Sequence, residues 1–222
     1  MLAISCRDLR RVYDDNGVAV DAVAGITLDV PPGCFVAVTG SSGSGKTTLL
    51  NLMAGLDVPT TGTVEVLGTN VGGLSEDQRA SFRLSSLGVV FQDNNLLGDF
   101  NGLENVMLPL QAQGMKHAQA KTLAVQAMER LSVGELASRR PHQMSGGQRQ
   151  RVGVARALVG DKKMLFADEP TGALDSENSN SLFDTFQKLS RDGVTVIVVS
   201  HDPEVRRYAD RVMEMRDGRF AH

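Results

Sequence analysis

Apolar residues in this chain follow two rhythms. Phe35-Val36-Ala37-Val38-Thr39, residues 163–167 and residues 194–200 are short, nearly unbroken apolar runs, the pattern of strands covered on both faces in a parallel sheet. Ser176–Arg191 instead spaces Leu182, Phe183, Phe186 and Leu189 as a helix does, and Asp192-Gly193 stops it. Residues 46–54 predict a second helix, ended at Gly55. Near the N-terminus, residues 12–13, 18–23 and 26–30 read as strands, with turn signals at Asp15-Asn16-Gly17 and Pro31-Pro32-Gly33. Buried strands alternating with helices predict an α/β fold with a parallel sheet, preceded by an antiparallel β subdomain. Residues 93–143 lack such strands. They carry an amphipathic helix over 118–131, with Ala120, Ala124, Ala127, Met128 and Leu131 on one side, and read as an inserted helical subdomain.

The first of those runs feeds Gly40-Ser41-Ser42-Gly43-Ser44-Gly45-Lys46-Thr47, with Thr48 next, a match to G-x-x-x-x-G-K-[ST] between a strand and a helix. The glycines permit a tight loop whose N–H groups converge on phosphates. Lys46 is then placed for the β and γ phosphates, and the Thr47 hydroxyl for Mg²⁺. A Gly/Ser-rich turn would match by chance in roughly one such sequence in a hundred, before the strand–helix context is added. The run at 163–167 ends in Asp168-Glu169, two carboxylates at the edge of a parallel sheet where ligands bind.

About a hundred residues beyond the phosphate loop lies Met144-Ser145-Gly146-Gly147-Gln148, followed by the helical-looking residues 149–159. A Gly-rich helix start offers unpaired N–H groups and the positive end of the helix dipole, a second grip for phosphate. Two such ends and one phosphate-binding lysine imply that the ends serve different nucleotides.

Composition narrows the setting. Net charge is -3 and the pI is near 5.8, which gives no reason to expect nucleic acid as a partner. Cys6 and Cys34 have neither CxxC spacing nor neighbouring His ligands, and read as reduced thiols of a cytosolic protein. The apolar start is too short for a signal peptide, and no run approaches the ~18–20 apolar residues of a spanning helix. For a membrane process, another chain must supply the membrane part.

These motifs resemble those of the ATP-binding-cassette (ABC) ATPases, whose signature reads LSGGQ, and the resemblance covers essentially the whole chain. It implies a P-loop NTPase core at 1–92 and 144–222 in a single domain, with 93–143 as its helical subdomain. It implies ATP hydrolysis with Mg²⁺. Asp168 then positions the metal through water, Glu169 is the general base, and Gln92 of Val89-Val90-Phe91-Gln92 reaches metal and water. His201, in Val198-Val199-Ser200-His201-Asp202, contacts the γ-phosphate, and Tyr13 stacks on adenine. Ser145, Gly146, Gly147 and Gln148 act on ATP held by a second copy, giving a head-to-tail homodimer around two ATPs, and Asp175 belongs to the loop that crosses between copies. His117, His142 and His222 lack such context. Arg139, Arg140, Arg149, Arg151 and Arg156 read as a solvated basic face. Met144 replaces the signature's Leu, a mild swap; Gly172 replaces a usual Ser and removes one hydroxyl.

Asn95-Leu96-Leu97, Leu103-Glu104-Asn105-Val106-Met107-Leu108-Pro109-Leu110 and Leu74-Ser75-Glu76 resemble the lipoprotein-releasing, macrolide-exporting and cell-division ATPases. Asn101-Gly102 departs from that group's usual Thr-Ala. The resemblance implies a cytoplasmic ATPase, held at the inner face of the membrane by a separate transmembrane permease that it drives for export, extraction or mechanical transmission. A solute importer's ATPase and a regulator of cell-wall enzymes are the alternatives. A soluble ATPase of DNA repair is disfavoured, because Lys46 and Ser145 are too close for a coiled-coil insert.

Overall fold

The computed structural model describes residues 1–15 and 17–221, so Asn16 of the expected turn and His222 lie outside the described residues. β1 (Ile4–Asp15) and β2 (Val18–Val30) form a long antiparallel pair, joined by β4 (Thr61–Val66) and β5 (Thr69–Asn70) in the order β2-β1-β4-β5. A second sheet contains β3 (Phe35–Thr39), β6 (Leu87–Val90), β7 (Met164–Asp168), β8 (Thr195–Val199), β9 (Arg211–Arg216) and β10 (Arg219–Phe220), ordered β10-β9-β3-β8-β7-β6. Its five longer strands pair in parallel, and only β10 runs antiparallel. The fold is therefore mixed α/β, with both the antiparallel and the parallel sheet that the sequence predicts.

The unbroken apolar runs are explained by two cores, one on each face of the parallel sheet. Phe35, Ala37, Leu165, Ala167, Val196 and Val198 face one core, packed with α5 (Gly146–Leu158) and α6 (Ser176–Arg191). Val36, Val38, Met164, Phe166, Ile197 and Val199 face the other, packed with α1 (Lys46–Met53) and the antiparallel sheet. Burial on both faces removes the polar half of the usual alternation. Helix α6 has the bounds its spacing predicts, and its Phe186 meets Phe35 edge-on with ring centroids 6.3 Å apart. Completely burying side chains such as Leu182 and Phe183 contributes about 1.5–3 kcal/mol each.

Between β6 and β7 the described residues contain no strand. They form the α-helices α3 (Gly102–Ala112), α4 (His117–Arg130) and α5. Helix α4 matches the predicted 118–131 within a residue at each end, and α3 was read only as a motif. Two strand readings change as well. The expected strands 18–23 and 26–30 are one strand, continuous through Gly25 at φ 84°, and the expected 12–13 is the tail of a strand that begins at Ile4. Both cysteines are buried, and desolvation pushes the Cys6 thiol up to about 12, so it is inert at neutral pH.

Candidate nucleotide site

The loop between β3 and α1 is pinched by its neighbours. A Cβ on Gly40 would stand 2.2 Å from the Met215 carbonyl oxygen, and one on Gly45 would stand 1.9 Å from that of Ala22. Both positions also hold positive φ, 147° and 97°, so only glycine fits. Gly45 is the N-cap of α1, with no side-chain cap and no acidic residue in the first turn. The first helical bond runs from Leu49 N–H to the Gly45 carbonyl at 2.9 Å, which leaves the N–H groups of Lys46, Thr47 and Thr48 at the open end. Lys46 is buried and folds along its own loop, Nζ donating to the carbonyls of Gly40 at 3.0 Å and Ser41 at 2.9 Å. An ammonium has three protons, so one remains for an anion. The buried Ser44 hydroxyl has no hydrogen-bond partner among the described residues. An orphan hydroxyl amid free amides and a lysine fits a phosphate ligand.

Two clefts meet at Thr47. One is bordered by Tyr13, Ala22, Gly43, Gly45 and Thr48, the other by Gln92, Asp93, Asp168 and Glu169. Thr47 Oγ1 donates to Asp168 Oδ1 at 3.1 Å, so the hydroxyl and carboxylate named for Mg²⁺ are already neighbours. Hard oxygen donors beside a phosphate loop suit Mg²⁺, which takes few protein ligands and completes its shell with phosphates and water. Desolvation holds the Asp168 carboxyl above the usual carboxylate range, the Thr47 bond opposes this, and the Glu169 charge adds to it. Glu169 follows β7 with φ 46°, an uncommon conformation for a residue with a side chain; its N–H is fixed to the Val199 carbonyl at 2.9 Å. Its Oε2 lies 2.8 Å from His201 Nδ1 and accepts the His201 N–H at 3.2 Å. Gln92 is exposed at the mouth of the second cleft, and its side-chain nitrogen lies only 2.9 Å from where a Cβ on Gly172 would stand. Glycine at 172 thus makes room for Gln92, a pairing that the sequence did not suggest.

Neither cleft includes Ser145, Gly146, Gly147 or Gln148. Ser145 caps α5: its Oγ accepts the Gln148 N–H at 3.2 Å while Gln148 Oε1 accepts the Ser145 N–H at 2.9 Å, a capping box. The N–H groups of Gly146 and Gly147 stay free at a helix start with no acidic residue. A Cβ on Gly147 would stand 2.5 Å from Asn178 Oδ1, and Asn178 is in turn held by Asp175, the N-cap of α6. Asp175 thus anchors the helix against which the signature segment rests.

Of the five arginines Arg139 and Arg140 are exposed, as expected, but the other three are engaged. Arg149 donates to the Met144 carbonyl at 2.7 Å, and Arg151 to Ser181. Arg156 is half-buried, and desolvation pulls its pKa down; it donates to the carbonyls of Asn94 and Asn95, both of which hold positive φ. Gln150 donates to the Phe91 carbonyl at 3.2 Å. Helix α5 therefore grips the loop around Gln92 at three carbonyls. Tyr13 likewise has partners that the sequence hid, Arg11 and Asp57: its hydroxyl donates to Asp57.

A phosphate loop between a parallel strand and a helix, with strand-end carboxylates facing it across one cleft, defines a P-loop nucleotide-binding cassette. The ABC transporter family model matches residues 23–172, and the chain belongs to that family. It is an ATP-hydrolysing cassette. It is 44% identical over 218 residues to the macrolide export ATP-binding/permease protein MacB of Syntrophobacter fumaroxidans, covering 97% of this chain and 30% of that one. The figures for MacB of Hyphomonas neptunium are 43% identity, 98% and 34%. The chain thus spans about a third of the length of these relatives. Among solved structures it is similar to the dimeric structure of MJ0796, a bacterial ABC transporter cassette, with TM-score 0.89, 35% identity and coverage of 99% and 97%. It is also similar to CbiO1 from Clostridium perfringens, part of the complex cbiONQ, with TM-score 0.90, 26% identity and coverage of 100% and 87%. Another structure of MJ0796, dimeric and bound to ADP and Pi, has TM-score 0.89 and 34% identity. No helix among the described residues is long and apolar enough to cross a membrane.

Proposed function

We propose that two copies of this cassette close head to tail on two ATP molecules and drive a transmembrane permease, in the manner of a macrolide, peptide or lipoprotein export system. One observation carries the reading: the helix start at Ser145, Gly146 and Gly147 is bare of acidic side chains yet borders neither cleft at Thr47. A second copy would supply the ATP it grips. The dimeric MJ0796 structures and the name of the MacB relatives support dimer and export direction respectively.

In this reading the residues at 93–143 act as the helical subdomain of a single domain whose core is 1–92 and 144–222. Tyr13 stacks on adenine. The amides and side chains of residues 40–48 hold the phosphates, Lys46 contacting the β and γ groups. Thr47, Asp168 and Gln92 would hold Mg²⁺, which when bound neutralises phosphate charge. Glu169 accepts the proton of the attacking water, which becomes part of the released phosphate, and ADP leaves with the bridging oxygen. His201, oriented by Glu169, contacts the γ-phosphate and orders the attack. Loss of phosphate removes the link between one copy's Lys46 and the other's Ser145, and the dimer parts. The permease is a separate subunit that holds the cassette at the cytoplasmic face of the membrane, with exposed Leu97 and Phe100 on the docking side.

The test is capture from solubilised native membranes by tagged Glu169→Gln chain with MgATP. A captured permease with about four spanning helices and a large outer domain supports mechanical transmission. A many-helix permease would move the assignment to an importer or a conventional exporter.

A further inference from the structure

Tyr13 borders the cleft at the phosphate loop, and its ring is held by more than its own strand. The phenol donates to Asp57 Oδ2 at 2.6 Å, and Arg11 Nε donates to the same oxygen at 2.9 Å. A terminal nitrogen of Arg11 lies 2.8 Å from Asp57 Oδ1, which also accepts the Val58 N–H at 2.7 Å. The Arg11 guanidinium stands over the Tyr13 ring, 4.6 Å from its centroid. Three side chains thus close a loop of contacts: carboxylate to phenol, carboxylate to guanidinium, guanidinium to ring face. The two charged members are only 22% and 19% exposed, so the pair is better shielded than an ordinary surface ion pair.

Asp57 also ties this cluster to the phosphate loop's own helix. Its N–H donates to the Asn51 carbonyl at 3.2 Å, and that of Leu56 to the same oxygen at 2.8 Å. Asn51 belongs to α1, which opens with Lys46 and Thr47. The ring face and the ring tip are each fixed, one by a cation and one by a hydrogen bond, which removes the two torsions a free tyrosine would have to order on binding. Tyr13 borders the cleft and Arg11, which stands over its ring, does not.

We propose that Arg11 and Asp57 are positioning residues for nucleotide recognition, locking Tyr13 as a preformed platform at a set reach from the phosphate-binding helix. The proposal rests on the reading of Tyr13 as the adenine platform and deepens it. Arg11 and Asp57 border neither cleft at Thr47, so they act on the affinity for ATP and not on the rate of its cleavage.

The test uses the full chain in a Tyr208→Phe background. The sequence has no Trp and only two Tyr, so Tyr13 is then the sole strong emitter. Steady-state kinetics and ATP titration of the emission are measured for Arg11→Met, Arg11→Lys, Asp57→Asn and Tyr13→Ala. Tyr13→Ala is expected to raise KM for ATP by about tenfold, a stacking loss near the low end of the usual range. Arg11→Met and Asp57→Asn are expected to raise KM by about three- to tenfold with kcat within about twofold, and Arg11→Lys to recover part of the loss. Asp57→Asn also brightens Tyr13 emission before ATP is added, because a quenching carboxylate is gone. If both variants keep wild-type KM while Tyr13→Ala raises it, the proposal fails and the adenine reading stands. If Tyr13→Ala itself leaves KM unchanged, the adenine reading fails, and the proposal with it. Should Arg11→Met not fold, Tyr13→Phe, which loses only the tip bond, must still raise KM; wild-type KM in that variant sinks the proposal.

Discussion

Oε2 of Glu169 lies 2.8 Å from Nδ1 of His201 and also accepts that residue's backbone N–H at 3.2 Å. A carboxylate only accepts, so Nδ1 carries a proton in this contact. The left-handed backbone at Glu169 sets the carboxylate beside both His201 and the cleft that holds Asp168. The two side chains are therefore one unit, and replacing either alters the setting of the other.

Glu169→Gln should keep ATP binding while turnover falls by about a hundred- to ten-thousandfold, the usual worth of a general base. Light scattering of this variant with MgATP should give a dimer. A monomer with ATP bound would contradict the head-to-tail sandwich.

Lys46→Ala removes the ammonium that lies against the Gly40 and Ser41 carbonyls. Affinity for ATP should drop by about ten- to a hundredfold, the loss of a charged hydrogen bond. Calorimetric titration checks this, and undiminished affinity would overturn the phosphate-loop role.

Ser145→Arg should bind ATP normally and fail to hydrolyse it, since the clefts at Thr47 do not include Ser145. Ser145→Ala isolates the cap: it should cost about 1 kcal/mol of stability in a denaturant titration. Full turnover in the arginine variant would remove the role across the dimer.

Lys162, only 7% exposed, has its pKa pushed down by desolvation from 10.5 to about 8. Folding therefore penalises its charged form, and the unfolded chain binds more protons between those two values. The penalty is fully present below about pH 8 and is lifted as pH rises toward 10.5. Lys162→Met should melt higher than the parent at pH 7, and the gap should narrow from pH 8 to 10.5. A gap independent of pH would contradict the burial argument.

The parts of this fold legible in the sequence are those whose signal is local. The loop at 40–47 needs eight consecutive residues, and α6 writes its buried face at helical spacing over one segment. β1 was harder to read: Ile4 and Cys6 alternate, but a register shift before Leu9, with Asp8 at φ 45°, breaks the period, and charged Arg7, Asp8, Arg10 and Arg11 mask it. Helix α3 contains Pro109, which argues against a helix, although the Asn101–Glu104 capping box announces its start. Helix α2 (Glu76–Ser86) fully buries none of its residues and packs only Phe82 partly against the core, so its apolar face is faint and its Ser75–Gln78 cap is the clearer mark. At the site, Tyr13 was visible but Asp57 was not, because their meeting depends on how β1 packs beside the end of α1. The arginines of α5 show the same limit: charge suggested solvent, while carbonyls from a loop sixty residues earlier receive Arg156.

That last contact constrains how the cassette moves. Helix α5 bears Ser145 at its tip, and along its flank Gln150 and Arg156 clasp the backbone on either side of Gln92. If α5 tilts against the central sheet, it must carry that backbone along or break three hydrogen bonds. In the proposed dimer, the α5 tip facing one nucleotide and the glutamine facing the other would thereby be geared to a single rod, and neither site would open alone.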